Sequence, residues 1–512
     1  MPSRQLSHLG LFISNGEIYM TLSLGKSATT QPPVILWFRK DLRLSDNPAL
    51  QAALKCGQPI LPLFIFDDQD PATKRLLGGA SRWWLHKSLR ALQLQLPDLC
   101  LRRGNAKTIL LELMQNVGAT QVFMNRRYGT SIDPDESLLE KFLQAYGIKC
   151  HVFKGNLLSD PATMLNQSGK PYQIFSSYWN HCLKTLRPER PSLNPQHIPT
   201  IQASSDELET WNLLPLAPNW ATGFEAFWTP GEAGAHERLG AFVDENLVGY
   251  PLQRNFPAKE GTSRLSPHLH WGEISPNQIW HVIQAQQVQN PASSNDSHIF
   301  LAEIGWREFA YYLAYHFPHM SDDPLRPQFK AFPWRYDYEG LEAWQKGLTG
   351  YPIVDAGMRE LWHKGWMHNR VRMIVASFLV KHLLIPWQDG ERWFWDTLVD
   401  ADLASNAMNW QWAAGCGVDA APYFRIFNPT LQAEKFDPEG AYIRLWVPEL
   451  KALPTIYIHK PWQASVDVLE KAGIQLGKTY PHPIVDHAAA RARALGAYQQ
   501  MKVENSTFIS VD

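Results

Sequence analysis

The sequence predicts two unlike parts, an α/β domain built on a parallel sheet and an all-α domain that follows it. Three observations predict this fold class. Short apolar runs alternate with helical patterns over residues 34–154, residues 161–253 are rich in Pro, Ser and Asn, and helical periodicity dominates after residue 254. Alternating strands and helices form a parallel sheet with helices on both faces. A chain of 512 residues is also too long for a single core.

Five short apolar segments of the first domain have the length and composition of buried strands. They are Val34–Phe38, Ile60–Phe66, 99–102, Gln121–Asn125 and Lys149–Phe153. Helical patterns lie between them, for example at 81–96 and 135–146. The phosphate-binding patterns GxGxxG and GxxxxGK[ST] do not occur. The Rossmann-like sheet is therefore not expected to be an ordinary dinucleotide or P-loop domain.

These patterns divide the chain into five segments. We predict a flexible leader at 1–33, the α/β domain at 34–160, a linker at 161–253, the helical domain at 254–500 and a tail at 501–512. The leader has no long apolar region and no clear cleavage site, so a secretory signal is not expected. A start codon placed too far upstream, with Met20 in frame, is the alternative explanation of this segment.

Composition excludes several classes of protein. The formal net charge is −1, so DNA binding would have to come from a local basic face. The five cysteines form no CxxC pair, which indicates a reduced protein without disulfides or a metal site. No apolar run has membrane-spanning length, and we expect a cytoplasmic location. The 21 tryptophans, 14 of them between Trp271 and Trp462, are more than packing alone explains.

One stretch of the second half has unusual chemistry. Between Asp400 and Trp412 it holds two carboxylates, three carboxamides and two tryptophans, and the aromatic and Pro-rich segment 419–429 follows. A core helix would not normally hold so many polar groups. A buried, planar and chargeable ligand would explain them, and a flavin fits best. The segment GTSRLS at 261–266 precedes a helix and suits phosphate binding, although a simple helix cap is an equal alternative.

Taken together, the motifs resemble the DNA photolyase/cryptochrome family from about residue 34 to residue 495. The matching segments are LWFRKDLRLSDNPAL at 36–50, PYQIFSSYW at 171–179, GTSRLSPHLHWGEISP from 261, WREF at 306–309, GYPIVDAGMREL from 350 and GWMHNRVRM at 365–373. The wording of the later segments is most similar to class III enzymes of bacteria. The resemblance implies light-driven repair of cyclobutane pyrimidine dimers in UV-damaged DNA, with FAD as the cofactor. It also implies a second, methenyltetrahydrofolate-like antenna chromophore in the first domain, near Trp83 and Trp84.

The resemblance implies a set of cofactor-binding residues. They are Tyr250, Thr262, Ser263, Arg264, Leu265, Ser266, Arg307, Trp366, Arg372, Asp400, Asp402 and Asn406. Arg372 and Asp400 should pair beside the flavin ring, which compensates a buried charge. Asn406 should face flavin N5 as a catalytic residue, and helix capping is the alternative for it. Phe300 departs from the family, in which a tryptophan often stands against the flavin.

The resemblance also implies an electron relay and a substrate site. The relay would run from Trp410 at the flavin through Trp387 to Trp334 near the surface, with packing as the alternative. Glu303 and Asn369 are the expected catalytic residues at the dimer, since repair requires a dimer flipped out of the duplex. The expected DNA-binding residues are Arg254, Glu303, Trp306, Asn369, Arg370, Met373 and Trp412.

Two further interpretations follow from single positions. The (6-4) photolyases of the family have a histidine where this chain has Asn369, so the cyclobutane-dimer substrate is favoured. His368 is expected to be a packed or surface histidine rather than a catalyst. His268 and His270 form an HxH pattern with no third ligand nearby, and we expect no metal there. A signalling cryptochrome is the alternative function. The dimer-contacting residues and the short tail after residue 495 speak against it, and we expect a monomer.

Overall fold

The structure is a computed structural model that describes residues 11–14, 17–20, 31–68, 75–128, 134–419 and 424–509. Most of the predicted leader, residues 420–423 of the polar and aromatic stretch, and the end of the predicted tail lie outside the described residues. Within the leader, strands β1 (Leu11–Ser14) and β2 (Glu17–Met20) form an antiparallel pair. The segment boundaries proposed from the sequence stay predictions.

The first domain is built on a five-stranded parallel sheet. Its strands are β3 (Val34–Phe38), β4 (Ile60–Phe66), β5 (Cys100–Arg103), β6 (Gln121–Asn125) and β7 (Lys149–Phe153), in the order β5-β4-β3-β6-β7. The helices are α1 (Pro48–Lys55), α2 (Gly79–Gln95), α3 (Ala106–Val117) and α4 (Pro134–Ala145). Every residue of β3 and β4 is buried, as continuous apolar strands predict. The predicted α/β class is confirmed.

The region predicted as a linker is tied to the sheet by backbone hydrogen bonds. The amide of Ile201 donates to the carbonyl of Ile60, and the amide of Asp206 donates to the carbonyl of Leu101. The helices α5 (Phe175–Thr185) and α6 (Glu232–Glu245) lie within this region. The connector therefore holds a fixed path along the edge of the sheet before the chain enters the second domain.

The second part is helical, as predicted, and no strand occurs among its described residues. Its helices are α7 (Tyr250–Gln253), α8 (Ser266–Trp271), α9 (Pro276–Gln289), α10 (Ser294–His316), α11 (Tyr338–Gln345), α12 (Pro352–Lys364), α13 (Asn369–Ser377), α14 (Trp387–Thr397), α15 (Leu403–Ala414), α16 (Pro429–Phe436), α17 (Ala441–Trp446), α18 (Thr455–Ile458), α19 (Val466–Lys471) and α20 (His487–Ile509). A π-helical segment, Phe378–Leu383, follows α13. In the part of the chain that the structure describes, no helix combines the length and apolar character needed to cross a membrane.

The two domains share one hydrophobic core. It includes Trp84 of α2, Trp228 of the connector and Trp366 of the helical domain, all of them buried. The indole N–H of Trp84 also donates to Glu273 Oε1 at 3.0 Å across the boundary. This packing fixes the α/β domain against the helices that surround the site described next.

Candidate functional site

A cavity of about 320 Å³ lies among α7, α8, α10, α13, α14 and α15. It collects most of the residues predicted from the sequence. These are Tyr250, Arg254, Thr262, Ser263, Arg264, Leu265, Ser266, Glu303, Arg307, Trp366, Asn369, Arg372, Met373, Asp400, Asp402, Asn406, Trp410 and Trp412. Residues from 250 to 412 meet here because six helices converge on one space. Phe300 also lines the cavity, packed 5.4 Å from the ring of Tyr250.

Four predicted residues lie outside the lining of this cavity. Trp387 and Trp334 line a separate surface cavity of about 410 Å³. Trp306 stacks on Phe175 with ring centroids 3.7 Å apart, and Arg370 lies over the ring of Phe436. Of the two tryptophans expected to hold the dimer, therefore, Trp412 lines the cavity and Trp306 does not.

The segment before α8 is shaped for an anion. Arg264 adopts a left-handed backbone with φ of 51°, and its buried Nε–H has no hydrogen-bond partner. The neighbouring Thr262 and Ser263 line the same wall of the cavity. A buried guanidinium donor without a partner is costly unless a ligand accepts from it. The hydroxyl of Ser266 is already used, since it donates to Asp400 Oδ2 at 2.6 Å.

The predicted pair of Arg372 and Asp400 is confirmed. Arg372 Nη2 donates to both carboxylate oxygens of Asp400, at 2.9 and 3.2 Å, and its Nε donates to the carbonyl of Met367. Both side chains line the cavity, and Asp400 is buried. A charge-assisted pair of this kind holds both groups in one orientation toward a ligand.

Asp402 anchors the start of α15. It caps the helix by accepting from the amide of Ser405 at 2.8 Å and also accepts from the Tyr311 hydroxyl. Burial by itself raises the pKa of Asp402, but the nearby His270, whose Nδ1 is 3.7 Å from Oδ2, and the hydrogen bonds from Tyr311 and the Ser405 amide hold that pKa well below the usual range. Burial and the nearby Lys40 lower the pKa of His270 to about 4. His270 Nε2 is 2.9 Å from Lys40 Nζ of the first domain.

Asn406 lies inside α15, whose cap is Asp402, so the alternative of helix capping by Asn406 is wrong. Its amide nitrogen donates to the backbone carbonyl of Glu391 at 3.0 Å and to Glu391 Oε1 at 2.9 Å. Both N–H groups are thereby used, and the carbonyl oxygen remains to accept a hydrogen bond from the cavity. Glu391 is in turn held by Arg75 of the first domain, whose Nη1 is 2.8 Å from each carboxylate oxygen. The sequence did not reveal this support.

The predicted relay tryptophans differ in depth. Trp410 and Trp387 are buried, whereas Trp334 is partly exposed in the surface cavity. The ring neighbours of Trp410 are Phe394 at 5.0 Å and Trp344 at 6.2 Å. A Cβ on Gly390, one turn after Trp387 in α14, would come within 2.1 Å of the Trp410 ring. The helix that begins with Trp387 therefore packs directly on Trp410.

The mouth of the cavity contains an ion pair that the sequence did not predict. Arg254 Nη1 lies 2.5 Å from Glu303 Oε1, so the residue expected on DNA phosphate and the residue expected on the dimer contact each other. Burial, and then the positive charges of Arg254 and Arg425, lower the pKa of Arg370. The exposed Arg425 was not among the residues predicted from the sequence.

Two other expectations can be compared with the structure. His368 is buried and caps α13 through Nδ1, and burial together with nearby arginines lowers its pKa to about 3. It is the packed histidine that the sequence predicted. Trp83 and Trp84 are buried against Phe224 and Trp228 at 5.2 and 5.3 Å, so neither indole offers a face to an antenna chromophore. The location of the antenna chromophore near this helix stays a prediction.

Comparisons with known proteins agree with this arrangement. Residues 34–197 match the sequence model described as DNA photolyase, and residues 300–500 match the FAD binding domain of DNA photolyase. A deoxyribodipyrimidine photo-lyase of Agrobacterium fabrum is 51% identical, with 92% of this chain and 98% of that protein covered. Cryptochrome-1 of Arabidopsis thaliana is 39% identical, with 91% of this chain and 70% of that protein covered.

A solved structure shows the same fold. The class III photolyase from Agrobacterium tumefaciens superposes with a TM-score of 0.89 at 50% identity, over 94% of this chain and all of that one. The chain belongs to the DNA photolyase and cryptochrome family.

The residues present fit FAD. The unpartnered Arg264 Nε–H and the hydroxyls of Thr262 and Ser263 suit its phosphates, and the Arg372–Asp400 pair and the Asn406 carbonyl suit its polar ring edge. The described residues include no cluster of three or more side chains that could hold a metal ion.

Proposed function

We propose that this protein repairs cyclobutane pyrimidine dimers in DNA under blue light. FAD bound in the cavity supplies the light absorption and the electron for the reaction. The observation that carries the proposal is the mouth of the cavity, where Glu303, Asn369, Met373 and Trp412 open onto the same space as Arg372 and the other flavin-facing residues. A relative with 51% identity is a deoxyribodipyrimidine photo-lyase.

Each side chain at the mouth has a role in holding a flipped dimer. Glu303 accepts hydrogen bonds from base N–H groups, and Asn369 supplies both a donor and an acceptor. The Trp412 ring stacks on a base, a contact worth about 1–3 kcal/mol. Because Arg254 pairs with Glu303, the damaged DNA must exchange this contact on binding, which frees the guanidinium for a phosphate.

The remaining residues position the cofactor and supply it with electrons. Arg372 and Asp400 would hold the ring of FAD, and the Asn406 carbonyl, oriented by Glu391, would be available to accept a hydrogen bond from it. Trp410, Trp387 and Trp334 return electrons from the surface to the cavity. We further propose a monomer that acts on UV-damaged DNA in the bacterial cytoplasm and holds a folate-like antenna chromophore in the first domain.

The decisive experiment irradiates the chemically reduced protein with single- and double-stranded DNA that contains thymine dimers, against a dark control. Light-dependent restoration of thymines is expected, and Glu303→Gln should lower it while flavin content stays unchanged. Trp410→Phe is the matched control, since a protein already reduced by chemistry needs no relay and should repair normally. No restoration with the wild type would contradict repair and favour a signalling cryptochrome.

A further inference from the structure

A second chain of tryptophans connects the cavity to the first domain. Trp366 lines the cavity, and its ring centroid is 6.4 Å from that of Trp228. The next centroid separations are 5.3 Å from Trp228 to Trp84 and 6.3 Å from Trp84 to Trp83. All four indoles are buried. We call these residues the Trp366 chain; its spacing is short enough for an electron to pass between neighbouring rings.

One ring of the Trp366 chain, that of Trp84, is hydrogen-bonded to a buried acid that could accept its proton. The indole N–H of Trp84 donates to Glu273 Oε1 at 3.0 Å, and Glu273 Oε2 lies 2.5 Å from His268 Nδ1. The acid and the histidine have no exposed surface. An indole that donates to a carboxylate loses an electron more easily, because its proton has an acceptor. Without further control, the Trp366 chain would compete with Trp410 as a donor to the cavity.

Cations lie over the first two rings of the Trp366 chain. Arg264 Cζ is 5.3 Å from the ring centroid of Trp366, and Arg238 Cζ is 5.3 Å from that of Trp228. A cation stabilises a neutral ring through its quadrupole and repels the positive charge left when that ring loses an electron. Among the described residues, none of the cation–ring contacts involves Trp410, Trp387 or Trp334.

The two arginines differ in how well their charges are compensated. The carboxylate partner of Arg264, Glu260, is 73% exposed, so water screens it. Arg238 donates to the backbone carbonyl of Phe227, and this neutral acceptor does not neutralise the positive charge of the guanidinium. Arg372 also lies over Trp366, at 5.8 Å, but Asp400 neutralises it. Bound FAD would place its phosphates beside Arg264, so Arg238, which lies outside the cavity lining, is the charge that distinguishes the Trp366 chain from the relay through Trp410.

We propose that Arg238 selects the route of electron transfer by keeping the Trp366 chain from donating. In the suppressed route one electron would leave Trp366 for the excited oxidised flavin. Trp228 and then Trp84 would refill it, and the N–H proton of Trp84 would pass to Glu273. The inference rests on the proposed function, because it needs FAD in the cavity and Trp410 as the normal donor.

The test starts from Trp410→Phe, in which the normal donor is missing. Adding Arg238→Gln should speed flavin photoreduction by at least about tenfold relative to that parent, because the repulsive charge over Trp228 is gone. Transient absorption should then show a deprotonated tryptophan radical. The matched control carries Arg238→Lys, which keeps the charge and should show no gain. A further Trp228→Phe change should abolish the gain.

Three results would overturn the proposal: no gain with Arg238→Gln, an equal gain with Arg238→Lys, or a gain that survives Trp228→Phe. Flavin content should be the same in all these variants, since Arg238 lies outside the cavity lining. Failure of the proposed relay is recognised separately, because Trp410→Phe alone would then leave photoreduction unchanged.

Discussion

Replacing Arg75 by Met should destabilise the protein through Glu391 rather than through Arg75 itself. The Glu391 side chain is 1% exposed and receives two contacts of 2.8 Å from the guanidinium. Breaking a buried ion pair from one side costs about 3–5 kcal/mol, and we expect about 3 because Arg75 is itself 23% exposed. The double change Arg75→Met with Glu391→Gln should cost only about 1 kcal/mol, since a neutral amide needs no counter-charge.

The pH dependence gives an independent check on this mechanism. Burial raises the pKa of Glu391, and Arg75 and then Asn406 oppose that rise. Without Arg75, the pKa of Glu391 rises further above its value in the unfolded chain. As the pH increases, the Glu391 carboxyl therefore loses its proton in the unfolded state before it does so in the folded state. The free energy of unfolding of Arg75→Met should therefore fall, relative to wild type, as the pH rises above about 4.3, and the deficit should shrink at lower pH.

Urea unfolding followed by the helical circular dichroism signal, at several pH values and equal flavin content, measures both effects. The reasoning is refuted if the double variant is as unstable as Arg75→Met, or if the deficit of Arg75→Met does not change with pH. In either case the arginine would contribute packing rather than charge compensation.

Three further changes test other parts of the structure. Gly390→Ala places a Cβ 2.1 Å from the ring of Trp410 and should lower the free energy of unfolding by about 1–3 kcal/mol, measured by thermal unfolding. Gly240→Ala, with open space around its Cβ, is the control and should stabilise the protein by about 0.5–1 kcal/mol. The pKa of Asp402 is lowered in the folded state, so the ionised carboxylate contributes to stability above about pH 3.9. Asp402→Asn should therefore be less stable than wild type above that pH. The difference in free energy of unfolding should shrink as the pH falls. Phe175→Ala removes the ring stacked under Trp306 and should weaken binding of dimer-containing DNA in a filter assay without changing flavin content; unchanged DNA affinity would exclude a substrate role for this pair.

The strands and most of the cavity could be predicted from the sequence for different reasons. Continuous apolar runs such as Ile60–Phe66 are buried on both faces, and this local pattern is enough to recognise a parallel strand. The motifs around Arg372 and Asp400 were recognised by resemblance, and the ion pair predicted from them is present. The roles of Asn406 and Trp410 toward a cofactor stay predictions.

What the sequence by itself determined was therefore the class of each segment and the residues that surround the cavity. Only the tertiary structure decided how those residues are held. Arg75 and Glu391 are 316 positions apart, and Phe175 and Trp306 belong to different helices. Likewise, the rings of the Trp366 chain come from three separate segments of the core shared by the two domains. Periodicity describes one element at a time, whereas these contacts exist only after distant elements have packed together.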